Sequence, residues 1–193
     1  QWKNYAYENG NFLNTPGTYA TSVIRDCMFG KCTFCRYNGP DLTFSTMPVE
    51  RSLNEYETLI RKYKVKEIFD DSGVWYRGAD ARRFAQGIID RGLHKEDCYF
   101  GINTRFEYLD EETLKLMGKA NFRFVLLGLE AADEETLTRL NKGYQSEHAY
   151  RALEWMTKYG LHPHLTIMVG YYWQTQEQLQ QTVTMVQDIM LKG

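Results

Sequence analysis

The tightest constraint on this chain is an alternation. Short runs that are apolar on both faces recur at 19–24, 65–69, 99–102, 124–129 and 165–169, and amphipathic helical patterns fill the gaps between them. A strand that is apolar on both faces has to be covered on both, as a parallel strand is when it packs between layers of helices. Parallel neighbours need crossover connections, and a helical crossover is right-handed. The expectation is an α/β fold, a partial (β/α) TIM-like barrel of parallel strands. Five βα units are visible, where a closed barrel needs about eight.

The helices announce their ends. The peptide Asp-Glu-Glu-Thr-Leu occurs at 110–114 and again at 133–137, with Asp as N-cap and acids in the first turn, where the helix dipole favours them. Ser52 with Glu55, and Thr175 with Gln178, read as capping boxes. Gly92 and Gly160 stand where C-caps belong. Residues 1–17 read as an irregular lead-in and 18–193 as one core domain. A start at Gln1 and a stop at Gly193, just after a helical pattern, suggest a piece of a longer polypeptide.

A formal net charge of -2 gives no electrostatic reason to expect nucleic acid or an anionic membrane as partner. No apolar run is long enough to span a bilayer and no signal-peptide pattern opens the chain, so a cytoplasmic location is expected. Three of the four cysteines crowd into the segment Cys27-Met-Phe-Gly-Lys-Cys32-Thr-Phe-Cys35. That spacing suits a metal better than a disulfide framework. Thiolates are soft ligands that select zinc or iron–sulfur clusters. A structural zinc wants four protein ligands. The candidates for a fourth are Cys98, His94, His148, His162 and His164, and none is well placed. Cys98, His94, His162 and His164 fall at the opposite end of the sheet, and His148 lies in or near a helix. The histidine pair at 162 and 164 reads as structural. An open iron–sulfur site with three protein ligands is favoured over zinc, and unligated buried cysteines come last.

In parallel α/β folds the ligand site lies at the carboxyl ends of the strands. Those exits carry Arg25 and Asp26 ahead of the cysteine loop, Asp70-Asp71-Ser72, Asn103-Thr104-Arg105, Gly128-Leu129-Glu130, and Gly170-Tyr171-Tyr172-Trp173. For Arg105, pairing with Glu107 or Asp110 on the surface is as good a reading as ligand binding. Glu130 could cap the next helix, although Asp133 already fills that role. Trp75, Tyr76 and the 171–173 cluster could line a pocket or simply pack.

The cysteine segment resembles the cluster-binding loop of the radical S-adenosylmethionine superfamily. The resemblance continues through Lys66-Glu-Ile-Phe-Asp-Asp71, Asn103-Thr-Arg105, Leu127-Gly-Leu-Glu130, Leu140-Asn-Lys-Gly143 and Met168-Val-Gly170. Within the superfamily the chain looks most like the radical domain that follows a cobalamin-binding domain. Elongator and methylthiotransferase radical domains and oxygen-independent porphyrin enzymes share much of the pattern. Three features depart from it. Four residues, not three, separate Cys27 from Cys32; Asp-Asp-Ser replaces Gly-Gly-Glu; and Tyr171-Tyr172-Trp173-Gln174 replaces a Gly-Leu-Pro-Gly-Glu turn.

The resemblance implies a core of six strands, one more than is visible, and a set of roles. Cys27, Cys32 and Cys35 would ligate a [4Fe–4S] cluster, whose fourth iron is chelated by S-adenosylmethionine. Phe34 would lie along the adenine, and Asp70, Asp71 and Ser72 would receive the cofactor's ammonium. Arg105 would pair with the cofactor carboxylate and Glu130 would hold the ribose, with Asn103 and Gly170 completing the cofactor-binding set. The implied activity is reductive cleavage of S-adenosylmethionine to a 5′-deoxyadenosyl radical, serving cobalamin-dependent methyl transfer or rearrangement of a small organic or peptide substrate. Cobalamin would sit on a domain outside this chain, and the electron would come from a low-potential donor such as flavodoxin or ferredoxin. The alternatives are a cobalamin-independent radical enzyme of sulfur-insertion or porphyrin type, and a non-catalytic zinc or iron–sulfur module.

Overall fold

The computed structural model describes residues 12–25, 27–39 and 43–192. Within them, strands β1 (Gly17–Ala20), β4 (Glu67–Asp70), β5 (Tyr99–Thr104), β6 (Phe122–Glu130) and β7 (His162–Ile167) form one sheet in the order β1-β4-β5-β6-β7. Every pairing in it is parallel. The two outer strands do not pair with each other, so the barrel is partial, as the alternation implies. A separate antiparallel pair, β2 (Val23–Arg25) with β3 (Ser45–Thr46), frames the cysteine loop. Helices α1 (Val49–Arg61), α2 (Gly78–Asp90), α3 (Glu111–Lys119), α4 (Glu134–Arg139), α5 (Ser146–Tyr159) and α6 (Gln176–Lys192) supply the crossovers and the outer layer. None is long and apolar enough to cross a membrane among the described residues.

Strand parity sorts the side chains. In β4, Ile68 faces the helices and joins the main core with Tyr56, Phe84, Phe100 and Val125, while Phe69 faces the concave side with Phe124 and Phe12. On that side, edge-to-face contacts link Phe12 to Tyr19, Tyr19 to Phe69, and Phe69 to Phe124, with ring centroids 5.0–5.9 Å apart. These rings floor the barrel. Phe12 belongs to the lead-in by sequence, yet it is buried in that floor; residues 1–11 lie outside the described residues.

Several local expectations hold. Asp110 and Asp133 cap α3 and α4 through Thr113 N and Thr136 N. Thr175 and Gln178 bond reciprocally before α6. Gly92 and Gly160 follow α2 and α5 in the left-handed conformation. Others need correction. The 19–24 run is two strands, because Ser22 turns out of the sheet to bond Asp70. Helix α1 starts after Pro48, so Ser52 is interior and bonds the Tyr76 hydroxyl at 2.8 Å instead of capping. Strand β7 begins at His162, and His162 and His164 are exposed on an edge strand; Pro163 between them fits because an edge needs no donor there.

At the amino-terminal end of the sheet, buried Glu67 accepts bonds from Leu13 N at 2.8 Å and Asn14 N at 2.9 Å and pairs with Arg123. Glu67→Gln keeps acceptors for the amides and removes the charge facing Arg123. It is expected to lower unfolding free energy by about 1–3 kcal/mol in urea titrations with an unchanged slope. An unchanged midpoint would show that the carboxylate contributes nothing as an anion.

Candidate active site

The carboxyl ends of the strands enclose a cavity of about 460 Å³. Its walls include Cys27, Cys32 and Cys35 from the loop after β2, Asp71 after β4, Asn103 and Arg105 at the exit of β5, and Glu130 at the end of β6. Phe34 stands at the rim and Tyr19, Phe69 and Leu126 form the base. Of the residues singled out by sequence, eleven in number, the structure therefore brings eight together. The other three are placed elsewhere. Asp70 is fully buried behind the wall, where its carboxylate accepts from Ser22, Ser72 and Tyr56. Ser72 is consumed by Asp70 and by Val23 N, which it receives at 2.9 Å. Gly170 lies exposed beyond β7, its N–H bonded to Gln174. Asp26 lies outside the described residues.

Trp75 and Tyr76 are buried in the main core and pack rather than line the cavity. Tyr171 and Trp173 stack on one another, with centroids 5.0 Å apart, away from the lining. Cys98 and the four histidines also stand apart from the cavity lining.

The cysteine loop holds its shape by borrowing bonds. Inside it, Cys35 N reaches Cys32 O and Asn38 N reaches Cys35 O, both at 3.1 Å. Its outer anchors come from the turn after α4. Thr33 N donates to Leu140 O at 3.0 Å, Thr33 Oγ1 to Arg139 O at 3.2 Å, and Asn141 Nδ2 to Lys31 O at 3.0 Å. The next residue, Lys142, is buried and pairs with Glu130 at 3.2 Å. Lys142 escapes identification as a site residue from sequence, although it sits in the Leu-Asn-Lys-Gly segment that carries the resemblance. Its burial and its acidic partner are invisible without the fold.

Glu130 adopts φ of +63°, in the left-handed region that non-glycine residues rarely occupy, at an irregularity in the β6–β7 register. Such strain persists where surrounding structure over-determines it, often at binding sites. Here it keeps the carboxylate on the cavity side. A β-carbon at Gly128 would overlap the Glu130 carboxylate and crowd Lys142, so a larger residue there would displace the ion pair from its present position. Asn103 Nδ2 lies 3.3 Å from Asp71 Oδ1 and donates to Ser72 O at 3.1 Å, which fixes the amide beside the exposed acid.

All three loop thiols are free. Burial pushes the Cys32 thiol up, and the Lys142 and Arg105 cations beside it pull it back toward the thiolate. Among the described residues, no three His, Cys, Asp or Glu side chains converge closely enough to enclose one metal ion. A single zinc would draw its sulfurs to about 3.8 Å from one another, given Zn–S bonds of about 2.3 Å. Three thiols that line one cavity without closing around a single point fit a larger body with soft-ligand sites, and an iron–sulfur cluster is such a body.

A partial parallel (β/α) barrel with a three-cysteine loop opening on its strand exits defines the class: an α/β protein with a cysteine-lined site. Comparison with known proteins then fixes the family. Residues 21–186 match the Radical SAM superfamily, and the chain belongs to it. It is 28% identical over 191 residues to the anaerobic magnesium-protoporphyrin IX monomethyl ester cyclase of Rubrivivax gelatinosus, covering 97% of this chain and 33% of the cyclase. An uncharacterized methyltransferase of Pyrococcus horikoshii is 27% identical over 164 residues, covering 82% of this chain and 34% of that protein. The chain thus spans about a third of the length of these relatives.

Among solved structures, the radical S-adenosylmethionine methyltransferase TsrM from Kitasatospora setae superposes with a TM-score of 0.80 at 17% identity, over 90% of this chain and 34% of its own. The cobalamin-dependent S-adenosylmethionine radical enzyme OxsB gives 0.73 at 17% identity, over 86% and 26%. At such identities the likeness is one of fold.

Proposed function

We propose that this chain is the catalytic core of a radical S-adenosylmethionine enzyme in which Cys27, Cys32 and Cys35 hold a [4Fe–4S] cluster. The observation that carries the reading is the convergence of those three thiols with Asp71, Asn103 and Glu130 on one cavity at the strand exits. When bound, the cluster supplies the single electron that divides S-adenosylmethionine at its sulfur–C5′ bond, the electron arriving from a low-potential donor such as flavodoxin or ferredoxin.

The chain's own residues bind and orient. The exposed Asp71 carboxylate, with Asn103 beside it, takes the cofactor's ammonium through charge-assisted hydrogen bonds. Asp70 and Ser72 support that turn from behind. Glu130, held by Lys142, offers its carboxylate to the ribose hydroxyls. Phe34 gives the adenine a face to lie on, and the aromatic base excludes water from below.

The overall reaction we assign is cobalamin-dependent methyl transfer to, or rearrangement of, a small organic or peptide substrate, with cobalamin held outside this chain. The methyltransferase relative and the fold of TsrM and OxsB support it. Similarity to the cyclase over 97% of the chain supports a second reading, cyclisation chemistry on a porphyrin ester.

The test is reconstitution with iron and sulfide in the absence of oxygen. The expected result is about four irons per chain, a broad absorbance in the blue, and a spectral change on adding S-adenosylmethionine. A protein that holds one tight zinc, or no metal, and ignores the cofactor would overturn the proposal. Whether a longer chain methylates or cyclises its substrate then separates the two reactions.

A further inference from the structure

Arg105 is the most heavily engaged side chain at the site, and its engagements point away from the cofactor. The residue leaves β5 with only 6% of its surface exposed. Its Nε donates to Glu107 and its Nη2 to Lys142 O. Its Nη1 donates to Cys32 Sγ at 3.5 Å. The guanidinium carbon lies 3.7 Å from the centroid of the Phe29 ring, in the same loop. From the sequence this arginine has two fates, a surface pair with Glu107 or Asp110, or the cofactor carboxylate. The Glu107 pair exists, but it is buried and turns the fork toward the thiol.

One planar cation therefore ties three pieces together: the sheet exit, the turn after α4 and the cysteine loop. Its planar fork makes this possible, since a lysine ammonium at the same place could not serve three partners in fixed directions. Only one group near Cys32 donates a hydrogen bond to its sulfur in the described residues.

Resting on the cluster reading above, we propose that Arg105 is a positioning residue that donates a hydrogen bond to the sulfur of the Cys32 ligand and thereby sets the reduction potential of the cluster. Hydrogen bonds to ligand sulfurs, and positive charge beside them, stabilise the reduced cluster, which carries one more negative charge. Removing the donor and the charge makes the electron harder to add.

The test uses the reconstituted chain without S-adenosylmethionine, so that no cofactor carboxylate is present. Iron per chain and the midpoint potential of the cluster are measured for the parent, Arg105→Gln and Arg105→Lys. At the parent's midpoint potential, the ratio of reduced to oxidised cluster in Arg105→Gln is expected to fall about tenfold, which for one electron is about 59 mV. Arg105→Lys, which keeps the charge and loses the fork, is expected to fall between the two. If the glutamine chain loses its iron, the lysine chain decides: a midpoint below the parent's supports the assignment and an unmoved one overturns it. A full cluster in Arg105→Gln with the parent's potential, together with weaker cofactor binding, would return Arg105 to the cofactor carboxylate. A parent chain that holds no cluster sinks the reading beneath and this inference with it, and that outcome is seen before any variant is made.

Discussion

Cys32→Ala, reconstituted beside the parent, is expected to hold fewer than about one iron per chain against about four, and to show no spectral response to S-adenosylmethionine. Cys32 is the most informative of the three loop cysteines to remove. It is the most buried, and it alone receives a bond from Arg105. The backbone around it is fixed from outside, with Lys31 O held by Asn141 and Thr33 N held by Leu140. Deleting the sulfur therefore leaves the loop's anchors in place, and lost iron reports a lost ligand and not a collapsed loop. Cys98→Ala is the matched control. Cys98 is buried before β5, at the far end of the sheet, where burial raises its thiol to about 12. It is expected to leave iron content unchanged. Four irons retained in Cys32→Ala would remove that cysteine from the ligand set and place the cluster, if one forms, elsewhere.

The class of fold was legible because doubly apolar strands and capped helices leave few alternatives. All five sheet strands occur in the expected order, with β1 and β7 each starting earlier than their apolar runs, and the Asp110 and Asp133 caps act as their sequences imply. What stayed hidden depends on which face of a strand points inward. Asp70 and Asp71 are neighbours, so they face opposite sides of the sheet. Phe69 faces the concave side, so Asp71 does as well, and Asp70 faces the helices. Because both faces of β4 are apolar, nothing in the sequence said which face was which. Arg105 shows a related limit. Its partner Glu107 was readable from proximity, but its burial, and hence its hold on Cys32, comes from a turn far away in sequence. Lys142 became a site residue only when α4 and that turn folded back over the loop.

The second large effect is expected behind the cavity wall. Asp70→Ala should lower unfolding free energy by about 3–5 kcal/mol, while Asp70→Asn should cost less than about 1.5 kcal/mol at neutral pH. Asp70 is fully buried and accepts from Ser22 N, Ser22 Oγ, Ser72 N, Ser72 Oγ and Tyr56 Oη. Alanine would leave two amides and three hydroxyls in the interior without the acceptor they now share. Asparagine keeps an oxygen for the amides and offers its NH₂ to hydroxyls that can rotate to accept. Burial raises the Asp70 carboxyl above its ordinary range even though its hydroxyl and amide donors pull the other way. The folded chain therefore binds this proton more tightly than the unfolded chain. That contribution is fully present below the unfolded value of about 3.9 and is lost as pH rises through the folded value. The parent should accordingly gain on Asp70→Asn as pH falls from 7 to about 4, near the unfolded value, because the asparagine never carries the buried charge. Urea unfolding of both chains at the two pH values, at matched iron content, measures the difference. A gap between them that stays constant with pH would show that Asp70 keeps its charge in the fold. The donors around it would then outweigh the burial that surrounds it.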